Sequence, residues 1–459
     1  MRICRAGDVV TRAEHIQLCQ FQLSILERNM KTLFLHLATT ALILVATSQS
    51  LLATGLSANG NPTDSTAVIV QRGQMLYANG QYFKVIEILH ARGIDTTNAL
   101  ASSLVGMSYA ALNDFENAIL FLKRACAADS SNIAFRFQLA AFSSLSGLMA
   151  QAENGYKTIL ALDSTFLPAL SRLGILYYDQ KLYEQSALYF SSVLRGNPRD
   201  YLANYYLGSI MVTMNEEDSA ISFLESCIRL NSGFVPAFDV LASLYYAQKD
   251  YAHALDLYQK AVQIRPASAD FKYKVGLCYR QLKEYDRAIS YFKDAAAIDS
   301  TNAAYFAQLG YCYFNINRCD SSIIYSLKAI SYDDQNFTYY TNLALAYQKL
   351  DSVKDLISVY RKMIELHDPD AVASLYYQIA WRYSPQKETA KAVEAYKRAI
   401  AIRPYYPAAL YSLAVCYDIA GNMPAANKAY EEYLQRTASD STENGRRYSV
   451  KMRLTNLKQ

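Results

Sequence analysis

Histidines are the first residues to test for chemistry, and there are five: His15, His36, His90, His253 and His367. A zinc site needs several ligands to converge, and the commonest local pattern places two histidines four residues apart on one helical face. No such pair occurs, and H-E-x-x-H is absent. The three histidines beyond residue 50 fall in separate segments, so each reads as a surface or interhelix residue. Of eight cysteines, Cys4 and Cys19 lie in the first 29 residues; the others are Cys126, Cys227, Cys278, Cys312, Cys319 and Cys416. There is no CxxC, no G-x-S-x-G elbow, no G-x-x-x-x-G-K-[ST] phosphate loop and no G-x-G-x-x-G dinucleotide loop. Carboxylates are scattered and form no acid–base pair. The sequence therefore supplies no nucleophile, base or metal set, and predicts a non-enzyme without metal or cofactor.

The residue type that stands out is tyrosine, with 39 Tyr against a single Trp. What positions these aromatics is a period. Small residues that follow an apolar one recur as Gly73, Gly106, Ala140, Gly174, Gly208, Ala242, Gly276, Gly310, Ala344, Ala380 and Ala414, at gaps of 33, then 34 seven times, then 36 and 34. Other positions keep the phase. Tyr stands three residues later (Tyr109, Tyr177, Tyr245, Tyr279, Tyr313, Tyr347, Tyr383, Tyr417). Ala stands twelve later (Ala118, Ala152, Ala220, Ala254, Ala288, Ala392, Ala426), an aromatic sixteen later, and Pro198, Pro266 and Pro404 stand twenty-four later. Self-similarity at this period marks a repeat array. Within each unit apolar residues recur every three or four positions, so each unit predicts two amphipathic helices. In one unit these are Val235 to Lys249 and Tyr251 to Ile264, joined at Lys249-Asp250. The small residues let the two backbones approach closely, and a proline ends the second helix.

The pattern resembles the tetratricopeptide repeat family. The resemblance covers residues 66 to 434, about eleven units, and rests on the apolar-small pairs Leu173-Gly174, Leu207-Gly208, Leu241-Ala242 and Leu309-Gly310, the Tyr three on, the second-helix Ala and the closing Pro. The family's frequent first-helix Trp is replaced by Leu170, Phe238, Phe306, Tyr340 and Tyr376. The first unit departs most, with Leu76 and Val85 where Tyr and Ala are expected. The resemblance implies an all-α fold: an α-α superhelix, a right-handed solenoid of helix-turn-helix units. Residues 438–459 are expected to hold a polar-faced capping helix from Arg446 to Leu457.

In the family the first helices line the concave side and hold extended or helical peptides. Carried over position by position, the outward residues are Tyr178, Tyr205, Tyr246, Tyr273, Tyr311, Phe314, Tyr377, Trp381 and Tyr411. Aromatics on a groove suit a protein or peptide partner, and packing between adjacent first helices is the alternative use. Trp381 is the strongest single candidate. The family's chaperone-tail clamp is absent. Its Lys position runs from Ser103 and Phe137 through Asp239 to Tyr411, and its Asn position from Met107 through Trp381 to Val415. The two readings that follow are a protein-interaction scaffold and a structural subunit of a larger envelope or secretion complex.

Charge and composition bound the rest. Lys+Arg of 45 against Asp+Glu of 41 leaves a net charge of +4, too balanced for a dedicated nucleic-acid binder. Ten Pro and 17 Gly exclude collagen-like and low-complexity classes. Residues Leu33 to Ala46 form an apolar run after Lys31, with small residues at Ala46 and Ser48. That predicts a signal peptide or membrane anchor over residues 30–48. Residues 1–29 are then either an annotation artefact ahead of a start at Met30 or a cytoplasmic tail held by its arginines. Both readings place the repeats outside the cytoplasm, in a bacterial periplasm or outer envelope. The 36-residue gap falls at His367-Asp368-Pro369-Asp370, a candidate hinge or contact loop. Of the cysteines, only Cys312 and Cys319, across one hairpin, are placed for a disulfide; Cys278 and Cys312 lie one repeat apart, too far for one.

Overall fold

The computed structural model describes residues 66–366 and 369–457. The expectations for residues 1–29 and 30–48, and for His15, His36, His367 and Asp368, fall outside them. The described residues form eleven consecutive helical hairpins, from Thr66–Ala78 with Tyr82–His90 to Pro407–Ile419 with Met423–Arg436, and no strand. They are followed by a final helix, Asn444–Leu457. The chain divides between Pro198 and Arg199 into two compact units, four hairpins in the first and seven in the second.

Six first helices start where a short polar side chain takes an orphan amide. Asn132 accepts from the amides of Ala134 and Phe135 at 3.1 and 3.3 Å, and Asp200 accepts from Ala203 at 2.8 Å. Asn98, Ser268, Asn302 and Asn336 do the same in their units, as N-cap residues should. Three others, Leu167–Asp179, Val235–Ala247 and Pro407–Ile419, carry proline in the first turn instead, where the missing N–H costs nothing. The first helix stops at one phase as well. The residue seven after each small position has positive φ in all eleven hairpins: Gly80, Asn113, Gly147, Lys181, Asn215, Lys249, Lys283, Asn317, Asp351, Lys387 and Gly421. In the unit Val235–Ala247 this left-handed residue, Lys249 at φ 66°, ends the first helix two residues earlier than the sequence pattern predicts.

Packing explains the other periodic positions. A Cβ built on Gly276 would sit 2.5 Å from Phe292, one on Gly208 2.6 Å from Leu224, and one on Gly174 2.9 Å from Phe190. All seven alanines twelve residues after the small position are completely buried. The aromatics sixteen after it fill the space alongside, with Phe190, Phe292 and Tyr396 among the most buried side chains. In the second compact unit one apolar cluster runs from Val235 to Tyr339 and another from Tyr340 to Cys416. The last helix adds Val450 and Leu454 to the cluster of Leu410, Tyr430 and Tyr433. Tyr448 and Met452 stand exposed on it beside Arg446, Lys451 and Arg453. The first hairpin is the irregular one: its second helix has nine residues, and the short helix Ile94–Thr97 follows it.

Candidate partner-binding face

The nine aromatics expected to face outward divide by environment. Tyr205 does not face outward: it is 4% exposed, its ring edge-on to Tyr206 and Phe234 at 5.3 and 5.1 Å. Its position on the helix Tyr201–Thr213 meets the next hairpin rather than solvent. Seven others are half-buried. Tyr178 packs on Tyr183 at 5.8 Å. Tyr246 packs on Tyr251 at 5.1 Å, and its hydroxyl accepts from Gln281 one repeat on, at 3.0 Å. Tyr273 lies between Phe292 and Tyr305 at 5.6 and 5.1 Å, and burial pushes its hydroxyl far above the usual phenol range. Tyr411 meets Tyr433 at 5.7 Å. Arg280 lies 5.5 Å from the centre of the Tyr311 ring and Lys349 lies 4.9 Å from that of Phe314. These contacts are the interhelix packing that the sequence held open as an alternative use.

Two of the nine, Tyr377 and Trp381, come together in a cleft on the helix Pro369–Tyr383. Gln348, Tyr377, Gln378, Trp381 and Arg382 line about 230 Å³ of open volume. Trp381 is 53% exposed, with the Arg382 guanidinium 4.7 Å from its ring centre. Tyr377 forms the floor, wedged against Tyr406 at 5.3 Å and Tyr396 at 5.8 Å. Gln378 is fixed from below, its carbonyl oxygen accepting from the Tyr360 hydroxyl at 2.6 Å. Leu345 occupies the Trp381 register position one unit earlier and is also exposed. An indole left half in water, with an exposed leucine one repeat away, is the kind of apolar surface that anchors a partner segment.

Gln348, Gln378, Arg382 and Leu345 were not singled out from the sequence. The available signal was positional: Gln378 and Arg382 adjoin Tyr377 and Trp381, and Leu345 shares the register of Trp381. Polar side chains on a solvated helix are too common for that signal to have stood out.

One buried charge elsewhere on a first helix is matched internally. Lys274 is buried and bonds Asp239 at 2.7 Å and Asp270 at 3.0 Å. Asp239 sits one repeat before Lys274, so this pair ties two first helices together. All six described cysteines are free, Cys312 and Cys319 included, and burial pushes the Cys227, Cys278 and Cys312 thiols up to about 12, away from thiolate chemistry. His90 and His253 each bond one carboxylate, Asp95 at 2.8 Å and Asp250 at 2.7 Å. No described helix is long and apolar enough to cross a membrane.

Comparison with known proteins agrees with this repeat geometry. Sequence profiles of the tetratricopeptide repeat match residues 102–132, 240–303 and 377–441. The chain is similar to the TPR repeat-containing protein YpiA of Bacillus subtilis, 21% identical over 219 residues, which are 46% of this chain and 50% of that protein. It is similar to anaphase-promoting complex subunit 3 of Schizosaccharomyces pombe, 27% identical over 125 residues, covering 27% of this chain and 19% of that protein. The match therefore spans half or less of these relatives. Among solved structures, YrrB, described as a TPR protein with an unusual peptide-binding site, aligns at 19% identity over 49% of this chain and 96% of its own, with a TM-score of 0.32.

Proposed function

We propose, from the premise that this chain belongs to the tetratricopeptide repeat family, that it is a non-catalytic scaffold holding a peptide or protein partner along its first-helix face. The observation that carries this reading is Trp381, half exposed beside Tyr377 in a cleft, where the other aromatics of that face are engaged in packing. Buried contact around a large aromatic anchor is what concentrates binding energy at protein interfaces. The apolar run Leu33 to Ala46 supports a location in the cell envelope, with the repeats on the outer side of the inner membrane. No nucleic-acid role is proposed, given the near-neutral charge.

A second reading is a structural subunit of a larger envelope assembly, contacting its neighbours through second helices and the C-terminal end. Ile324, on the second helix Cys319–Tyr332, and Tyr448 on the last helix are exposed apolar residues that favour it, and one relative is itself named as a subunit of a complex. Site-specific photocrosslinking separates the two. A benzoyl-phenylalanine is placed at Trp381 in one variant of the full chain and at Ile324 in another. The scaffold reading expects a partner adduct from position 381 and none from 324. The reverse result would sink it and move the contact to the second helices.

A further inference from the structure

We infer that the Trp381 cleft recognises an internal acidic side chain of an extended partner peptide. Arg382 and the amides of Gln348 and Gln378 hold the carboxylate, and an apolar neighbour of that acidic residue covers the indole. This deepens the scaffold reading and rests on it.

The argument is a count of donors and acceptors. Trp381 offers one N–H and no acceptor, and a guanidinium offers five N–H groups and no acceptor. Gln378 already gives one lone pair of its oxygen to the Tyr360 hydroxyl at 2.6 Å, and its amide nitrogen brings two N–H donors. Gln348 adds a second amide. The lining therefore has a surplus of donors and contains no carboxylate. The ion pairs among the described residues, which include the nearby Lys362–Glu365 and Lys391–Glu388, do not involve Arg382. Lys274 differs, because Asp239 and Asp270 already neutralise it. Arg382 is the charge in the cleft that lacks a counter-charge, its guanidinium lies 4.7 Å from the centre of the indole ring, and a planar guanidinium fork suits a bidentate carboxylate. A cleft of about 230 Å³ accommodates one or two side chains of an extended segment, not a folded domain.

Trp381 is the sole tryptophan of the full chain, so its emission reports on this cleft alone. The full chain is used to probe an array of dodecapeptides, blocked at both ends and random around a fixed central residue. The strongest binders are then titrated against Trp381 emission, each beside its central Glu→Gln counterpart. The proposal expects a central Glu among the binders and about tenfold weaker binding of the Gln counterparts. That difference should vanish in Arg382→Gln and persist in part in Arg382→Lys, with circular dichroism verifying that both variants fold. If Arg382→Gln does not fold, wild-type protein at rising salt replaces it, and the Glu–Gln difference should shrink. Peptides that move the emission without regard to Glu or to Arg382 would overturn the proposal and leave the scaffold reading standing. A second array with free C-termini runs beside it, and binding confined to that array would overturn the proposal in favour of a terminal ligand. Silence on both arrays, with no movement of the emission, would overturn both readings.

Discussion

Ser322 reaches back twelve residues to donate its hydroxyl to the carbonyl oxygen of Gly310, at 2.8 Å, inside one hairpin. Ser186 does the same to Gly174 at 2.7 Å in the first compact unit. Both serines stand where most units have a fully buried alanine. A hydroxyl at so dry a position must find a partner, and the glycine carbonyl, close because the small residue lets the backbones meet, has a second lone pair to give.

That relationship separates two neighbouring serines. Ser326, one turn after Ser322, is fully buried, and its hydroxyl has no partner. Ser326→Ala is expected to raise stability by about 1 kcal/mol, because an unsatisfied polar atom leaves the core. Ser322→Ala is expected to lower it by about 1 kcal/mol through the lost bond. Urea unfolding of the two variants checks this, and equal effects would contradict it.

Among the described glycines the tightest place is Gly276 against Phe292, where an added Cβ meets three ring atoms at 2.5, 2.7 and 3.0 Å. A fully buried ring has no room to retreat. Gly276→Ala should cost about 1–3 kcal/mol through overpacking. Thermal unfolding of the variant would show the loss as a lowered midpoint.

Four hairpin turns place lysine in the left-handed region: Lys181, Lys249, Lys283 and Lys387. A side chain with a Cβ is strained there and glycine is not. Lys249→Gly is expected to stabilise by about 0.5–1 kcal/mol, the relief of strain exceeding the greater freedom of the unfolded chain. Gly147→Ala, at the same phase and φ 78°, should destabilise. Denaturant midpoints of the pair should move in opposite directions.

The last helix is tied to the final hairpin by Arg453, which donates to Asp418 at 2.8 and 2.9 Å, while Tyr430 donates to the same carboxylate at 3.0 Å. The Arg453 bonds hold the Asp418 carboxyl below its usual range. The folded state thus binds this proton more weakly than the unfolded state. The associated stability is present above the ordinary carboxylate value of about 4 and is lost as pH falls through the lower folded value. Unfolding measured from pH 7 to pH 3 should show a steeper acid loss in wild type than in Arg453→Ala. Parallel curves would mean that the pair does not hold the helix.

Much of the hairpin array was legible in the sequence because its packing is local and repeated. Gly276 must be small to face Phe292 wherever the hairpin sits, and Ala242 and Ala254 are both completely buried in one cluster. Each rule recurs with the 34-residue period, so eleven repetitions outweigh any single exception such as the first hairpin. The phase of the turns was readable in principle from Gly80, Gly147 and Gly421, but the lysines at that phase concealed it, since lysine carries no left-handed preference. Where the chain divides is another matter: Pro198 holds the same repeat position as Pro266 and Pro404, so nothing in the pattern sets it apart.

The candidate site was legible only in part. Sequence determined that a first helix carries Trp381 and that a tyrosine precedes it by one turn. Which aromatics stay accessible was decided by tertiary packing. Periodicity assigns a residue to a face, but exposure depends on what the neighbouring repeat brings against that face. Phe234 covers Tyr205 and Tyr305 covers Tyr273, whereas the indole of Trp381 is left beside Arg382 with half its surface in water. The donor surplus of that cleft has the same origin. It arises from side chains of two consecutive first helices, Gln348 on one and Arg382 on the next, which share a surface only once the hairpins have stacked.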